Sequence, residues 1–251
     1  MIRAVLFDLG GTLHTANAPA GRDVWFAKRL IERLGDYGIS LETQPEELAR
    51  QLQENGEIYK HSSEETLREL PSVRIWNEYY LRDYHIGEER LAPIAEELSF
   101  LYDYERVRIM RRPNLRQTME RLRQMSLRMG VISNIISTSV VPHFLAEYGL
   151  EQYMECVIMS SVTGVRKPSA DIFRVAEQQM GLRSEELAYV GDTISRDVRG
   201  VRNAGWRLMI QIRNPGTAHR DKGLEHAGFR PDYLIDDLWE IPAIIEKENG
   251  G

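Results

Sequence analysis

Residues 2–13 read Ile2-Arg3-Ala4-Val5-Leu6-Phe7-Asp8-Leu9-Gly10-Gly11-Thr12-Leu13. The apolar run from Ala4 to Phe7 is too short for a helix and suits a strand buried on both faces of a parallel sheet. It ends in Asp8, and the carboxyl end of a first parallel strand is where open α/β sheets bind ligands. Gly10 and Gly11 let the backbone turn sharply and bring its N–H groups close to an anion. Taken alone, the stretch reads equally well as a strand followed by an ordinary turn that Asp8 begins.

Working outward, the core pattern returns after a long interval. Leu127 to Ile132 reads as a second strand that ends at Ser133-Asn134. Cys156 to Met159 is a third, Leu187 to Val190 a fourth ending at Gly191-Asp192, Leu208 to Ile212 a fifth and Tyr233 to Ile235 a short sixth. Helices fall between them: one opened by Pro113, one from about Ser139 to Tyr148 closed by Gly149, and one over 169–180 with Ser169 as cap and Gly181 past its end. Two more cover 194–204, closed by Gly205, and 238–247. Strands alternating with helices give a doubly wound parallel α/β sheet. Asp8, Ser133 and Asp192 then stand at three strand ends on one edge of that sheet.

Between these parts the character changes. His14 to Arg22 reads as a loop leaving the core, and from Asp23 to about Tyr104 strand-like runs vanish. Trp25, Phe26, Leu30, Ile31 and Leu34 form one helical stripe. Further helices are expected from Pro45 to about Lys60, from Val73 to Tyr84, and from Glu88 to Tyr104. The expected organisation is a core domain of residues 1–15 and 107–251 and an all-helical domain of residues 16–106. Aromatic residues of the insertion (Trp25, Trp76, Tyr79, Tyr80) sit at helical spacing and are read as its own core.

Bulk properties narrow the partners. The chain has 251 residues, 28% of them charged, and a net charge of −6, so neither nucleic acid nor an anionic membrane is expected as partner. The single cysteine, Cys156, lies in an apolar run and reads as a buried, inert thiol in a chain without disulfides. No uninterrupted apolar run is long enough to span a bilayer, and the expected location is the cytoplasm. No heptad run specifies a partner helix, so a monomer or a homodimer is expected.

Four stretches in order resemble the signature motifs of the haloacid dehalogenase (HAD) superfamily of phosphotransferases and hydrolases. They are Asp8 with its glycines, Val131-Ile132-Ser133-Asn134, Arg166-Lys167-Pro168, and Val190-Gly191-Asp192-Thr193 followed by Asp197. Each has a plain structural reading by itself; their joint order carries the resemblance. The resemblance implies a Rossmann-like core with a helical cap inserted after the first motif. It implies Asp8 as the nucleophile that forms an aspartyl-phosphate, with Lys167 as its catalytic partner. Mg²⁺ would be held by Asp8, Asp192 and the carbonyl of Gly10, with Asp197 in support or as an alternative metal carboxylate. Ser133, Asn134 and Gly11 would receive the phosphate of a small phosphorylated metabolite. The chemistry agrees: phosphoryl transfer needs an in-line nucleophile, neutralised equatorial oxygens and a held leaving group.

One position departs from the pattern. Phosphatases of the superfamily usually read D-x-D, the second aspartate serving as general acid and base, and here that place is Gly10. Losing such help costs about 10²–10⁴ in rate. His14 is the nearest titratable side chain, although a plain loop histidine is its simpler reading. Three readings therefore stand together: a Mg²⁺-dependent phosphatase, slow because of Gly10; a phosphate-binding or regulatory protein of the same fold; and a 2-haloacid dehalogenase. The dehalogenases usually carry tyrosine in place of Gly10 and serine in place of Asp192, so Asp192 speaks for a metal.

Overall fold

A computed structural model describes residues 1–224 and 228–250. Residues 225–227 and 251, which the expected core domain includes, lie outside the described residues. Six strands form one parallel sheet. They are β1 (Ala4–Phe7), β4 (Arg128–Ser133), β5 (Met154–Met159), β6 (Leu187–Gly191), β7 (Leu208–Ile212) and β8 (Tyr233–Ile235), in the order β5-β4-β1-β6-β7-β8. The first strand is thus central, between β4 and β6. Its residues alternate between two buried layers. Val5 and Phe7 pack with Val131, Val190 and Ile210, while Ala4 and Leu6 pack on the opposite face with Ile158, Phe173 and Tyr189. Cys156 is buried in that second layer, and burial pushes its thiol up to about 11.

Helices cover both faces: α6 (Leu115–Gln124), α7 (Val140–Glu147), the single turn α8 (Ser160–Thr163), α9 (Ala170–Met180), α10 (Arg199–Ala204) and α11 (Ile241–Gly250). Ser169 caps α9 by accepting the Asp171 N–H at 3.2 Å, and Gly181 ends it in the left-handed conformation. The expected helix over 194–204 is instead a π turn, Ile194–Val198, running into α10.

The insertion differs from expectation in three places. His14 to Arg22 is not all loop: β2 (His14–Asn17) pairs antiparallel with β3 (Arg108–Arg111), making a two-stranded ribbon that carries the chain out of the sheet and back. The helices α1 (Arg22–Asp36) and α2 (Pro45–Thr66) stand as expected, with α2 a turn longer. The third expected helix is segmented into α3 (Ser72–Ile75), a π turn (Trp76–Tyr80) and a 3₁₀ turn (Arg82–Tyr84). The fourth is cut into α4 (Glu88–Leu91) and α5 (Ala95–Tyr104) around Pro93, which lacks the N–H and clashes with the preceding turn. Trp76 is fully buried and donates to Ser99 at 2.9 Å, as a core residue of this layer. No helix among the described residues is long and apolar enough to cross a membrane.

The insertion is fastened to the sheet by buried charge. Glu69 is 5% exposed and accepts from Arg166, from Ser160 Oγ at 2.6 Å and from the Tyr59 hydroxyl. Backbone bonds join the same segments: Glu69 N–H to Gly164 O at 3.1 Å and Arg166 N–H to Leu67 O at 3.0 Å. Removing one partner of a buried pair leaves the other charge without compensation. Glu69→Ala should therefore cost about 3–5 kcal/mol in urea unfolding, whereas Glu69→Leu combined with Arg166→Met should restore much of it. A single variant with an unshifted midpoint would show that this clasp carries no stability.

Candidate active site

The catalytic edge of the sheet begins with β1. Asp8 N–H donates to Val190 O at 2.8 Å, fixing the first residue past β1 against β6. Its carboxylate is buried, and Oδ1 accepts from Lys167 Nζ at 2.7 Å. The same ammonium donates to Asp197 Oδ1 at 2.7 Å and to the Tyr189 hydroxyl at 2.8 Å. Tyr189 passes its own proton to Ile132 O at 2.9 Å. Lys167 thus spends all three donors on buried oxygens. Its backbone is clamped by Asn134, whose amide donates to Lys167 O at 3.0 Å and accepts Lys167 N–H at 2.8 Å.

Asp197 organises the turn after β6. Its Oδ2 accepts from the N–H of Asp192 at 3.2 Å, the N–H of Thr193 at 3.0 Å and the Thr193 hydroxyl at 2.7 Å. Asp192 Oδ2 accepts from Asn214 at 2.8 Å and Thr217 at 2.6 Å. Asp8 Oδ2 and Asp192 Oδ1 accept no hydrogen bond among the described residues. This crowding needs missing side chains. A Cβ on Gly11, whose φ is +95°, would overlap the Asp192 carboxylate, and one on Gly191 would overlap Asp197. Gly10 is different: a Cβ there would meet only His14 Nε2, at 4.0 Å.

Three carboxylates and one ammonium leave the cluster short of positive charge. Burial, against the pull of Lys167, pushes Asp8 up to about 7, with Asp197 and Asp192 adding to the rise. Burial and Asp197 likewise raise Asp192. Burial also pushes Asp197 up, but Lys167 and Thr193 outweigh it and hold that carboxyl below its usual range. Carboxylate oxygens of Asp8, Asp192 and Asp197 lie within 4.8 Å of one another. Hard oxygen donors in a buried, negatively overcharged cluster fit a hard divalent cation. Asp8 and Asp192, each with an unengaged oxygen, could hold such an ion, and Asp197, with both oxygens committed, could support them.

All the residues singled out in the sequence meet around one cavity of about 470 Å³, which Asp8, Gly10, Gly11, Ser133, Asn134, Lys167, Asp192 and Asp197 all line. His14 lines it too, and is not a loop residue: it is 4% exposed, its Nδ1 lies 3.0 Å from the Tyr148 hydroxyl, and its ring packs on Phe144. Burial, with Arg112 nearby, pushes its pKa down to about 4, so the ring is neutral at pH 7. Sequence reasoning missed Tyr189, Asn214 and Thr217. Tyr189 looks like one more apolar residue of a buried strand, and the other two lie in an irregular segment with no spacing signal. Tyr80, read as insertion core, also lines a neighbouring cavity.

Comparison with known proteins agrees with this arrangement. A family model for haloacid dehalogenase-like hydrolases matches residues 2–205. The chain is similar to glyceraldehyde 3-phosphate phosphatase of Methanopyrus kandleri, with 26% identity over 248 residues and 98% of each chain covered. It is also similar to ribulose-1,5-bisphosphate 5-phosphatase of Halopiger xanaduensis, at 23% identity, covering 98% of this chain and 100% of that one. In fold it resembles 2-haloacid dehalogenase from Pseudomonas syringae pv. Tomato, with a TM-score of 0.67 at 21% identity over 99% of this chain and 100% of the other. A match that runs from the first strand through the last motif, on a sheet whose edge gathers those motifs, makes this chain a member of the haloacid dehalogenase-like hydrolase family.

Proposed function

We propose that the protein is a Mg²⁺-dependent phosphatase acting on a small phosphorylated metabolite of the sugar-phosphate kind, through an aspartyl-phosphate on Asp8. The observation that carries this reading is the Asp8 carboxylate, one oxygen held by Lys167 and the other unengaged beside Asp192. The relatives named as phosphatases of glyceraldehyde 3-phosphate and ribulose 1,5-bisphosphate support the substrate class. Asp192 supports phosphoryl over carbon chemistry, because a dehalogenase has no use for a metal carboxylate at that position.

Asp8 attacks phosphorus as the ester P–O bond breaks, and the electron pair leaves on the alcohol oxygen. Lys167 orients the attacking carboxylate and meets the charge of the phosphoryl oxygens. Ser133 and Asn134 line the cavity wall beside that group, whereas the Gly11 N–H, expected to receive the phosphate, is taken by His14 O at 2.7 Å and Gly11 serves by leaving room. Asp8, Asp192 and the Gly10 carbonyl would hold Mg²⁺, which would neutralise the phosphoryl charge when bound. Water then attacks phosphorus, the aspartyl P–O bond breaks and the Asp8 carboxylate is regenerated. In the tautomer whose Nδ1–H donates to Tyr148, the neutral His14 ring leaves its Nε2 lone pair beside the gap at Gly10, where it would accept the proton of that water. A ring whose pKa is pushed down to about 4 is a weak base and carries no proton to give at pH 7, so it helps the water little and release of the alcohol is unassisted.

Asp8→Asn should abolish phosphate release from p-nitrophenyl phosphate with Mg²⁺ while leaving the circular dichroism spectrum unchanged; residual turnover near the wild-type rate would remove Asp8 as nucleophile. Gly10→Asp has room for its side chain and should raise the rate, toward the roughly 10²-fold that acid–base help supplies, and an unchanged rate with Mg²⁺ bound would place the bottleneck elsewhere. The raised carboxyl of Asp8 contributes stability that is present below about pH 4 and lost as pH rises through about 7. Mg²⁺ favours the ionised form, so it should raise Tm more at pH 8 than at pH 5, and Asp192→Asn should shrink that rise. Equal shifts at both pH values would count against this cluster as the metal site.

A further inference from the structure

The cavity above Asp8 does not end at the catalytic edge. It adjoins a second one of about 480 Å³, walled by the insertion, and the two share Asp103, Arg106, Asn134 and Arg220 among their lining residues. A phosphate ester seated on Asp8 therefore projects the rest of its skeleton past these residues.

The charges of the second cavity are mostly committed. Arg166 is paired with Glu69, Lys60 donates to Glu57 at 2.9 Å, and Asp103 accepts the N–H groups of Ile136 at 3.2 Å and Ser137 at 3.0 Å. Two guanidiniums are not committed. Arg106 forms no ion pair among the described residues; its Nε is buried without an acceptor, and its guanidinium lies 4.3 Å over the Tyr102 ring. The acids nearest in effect, Asp103 and Asp23, make no salt bridge with it, and burial pushes the Asp103 carboxyl up to about 7, which weakens it as a counter-charge. The Arg220 side chain has no ion pair or hydrogen bond among the described residues either. Its neighbour Arg196 is taken by Glu64 at 2.5 Å. Its turn is nonetheless fixed, because Asp221 accepts the N–H groups of Ile194 at 2.7 Å and Ser195 at 2.9 Å. Arg106, half-buried with its Nε buried and without an acceptor, is costly and persists where a ligand completes it, and the exposed, uncommitted Arg220 lines the same two cavities.

We propose that Arg106 and Arg220 form a second anion-binding subsite, which selects phosphate esters carrying another anionic group, a carboxylate or a second phosphate, on the same skeleton. The subsite rests on the reading that Asp8 takes the phosphoryl group. Guanidinium suits both anions through paired N–H donors.

The test compares matched substrates: 3-phosphoglycerate against glycerol 3-phosphate for the carboxylate, and fructose 1,6-bisphosphate against fructose 6-phosphate for the phosphate. The wild type should favour the more anionic member of at least one pair by about tenfold or more in kcat/KM, and which pair shows it identifies the anion. Arg106→Gln and Arg220→Gln should each reduce that preference about tenfold, and Arg106→Lys should retain part of it. Equal kcat/KM within both pairs, or a preference that survives both Gln variants, overturns the subsite. Hydrolysis of p-nitrophenyl phosphate by the wild type but not by Asp8→Asn separates this outcome from failure of the phosphatase reading. Calorimetric binding of the same pairs to the Asp8→Asn protein tests the subsite without turnover: tighter binding of the anionic member, lost on adding Arg106→Gln, supports it, and equal binding refutes it.

Discussion

A single buried ammonium holds the catalytic edge together. Lys167 is 3% exposed and bridges the nucleophile candidate on β1, the organising carboxylate after β6 and a tyrosine that reaches across to the backbone of β4. Three neighbouring strands of the sheet are thereby tied at one atom. Burial alone would drive the lysine to lose its proton, but Asp197 and Asp8 reverse that and keep it charged. The lysine is in turn positioned from two sides. Asn134 grips its peptide groups, and the residue before it, Arg166, is locked into the clasp with Glu69. The insertion therefore reaches the chemistry through the backbone, one residue away from it, as well as by walling the substrate cavity.

Packing three carboxylates into this space dictates which residues are absent. Gly11 and Gly191 are required because the side chains of Asp192 and Asp197 occupy the volume a Cβ would take. Gly10 carries no such requirement. Its lack of a side chain is a chemical choice and not a steric one, and the space it leaves faces His14. The buried surplus of negative charge is the counterpart of this economy: burial and mutual repulsion raise both Asp8 and Asp192, and a cation joining them would favour their ionised forms.

Much of this was legible in the sequence wherever a single physical signal decided the matter. Ala4–Phe7, Leu208–Ile212 and Tyr233–Ile235 are strands with the bounds their apolar runs predict, the first two because they are buried on both faces. The order of the motifs brought Asp8, Ser133, Lys167 and Asp192 to one cavity. What stayed hidden depended on partners far apart in the chain. The ribbon of β2 and β3 joins polar segments some ninety residues apart, with Ala16 opposite Ile109, and neither alternates clearly enough to declare a strand. Glu69 and Tyr189 look like a surface acid and a core aromatic until their partners, Arg166 and Lys167, are placed against them. His14 reads as loop because its burial comes from Phe144 and Tyr148 on a helix 130 residues away.

The junction before α7 has a consequence for how the molecule holds its shape. Glu96 Oε1, from the insertion, accepts the N–H groups of Thr138 at 2.9 Å and Ser139 at 3.2 Å and both serine hydroxyls, Ser137 at 2.7 Å and Ser139 at 2.8 Å. It fixes the turn that leads into a core helix and holds Ser137, whose Oγ accepts the first helical N–H, that of Val140, at 3.1 Å. Part of the core's own secondary structure is thus completed by a segment inserted elsewhere in the sequence. Such an arrangement couples the melting of the two layers into one cooperative transition and makes the native topology rich in long-range closures, which slow folding.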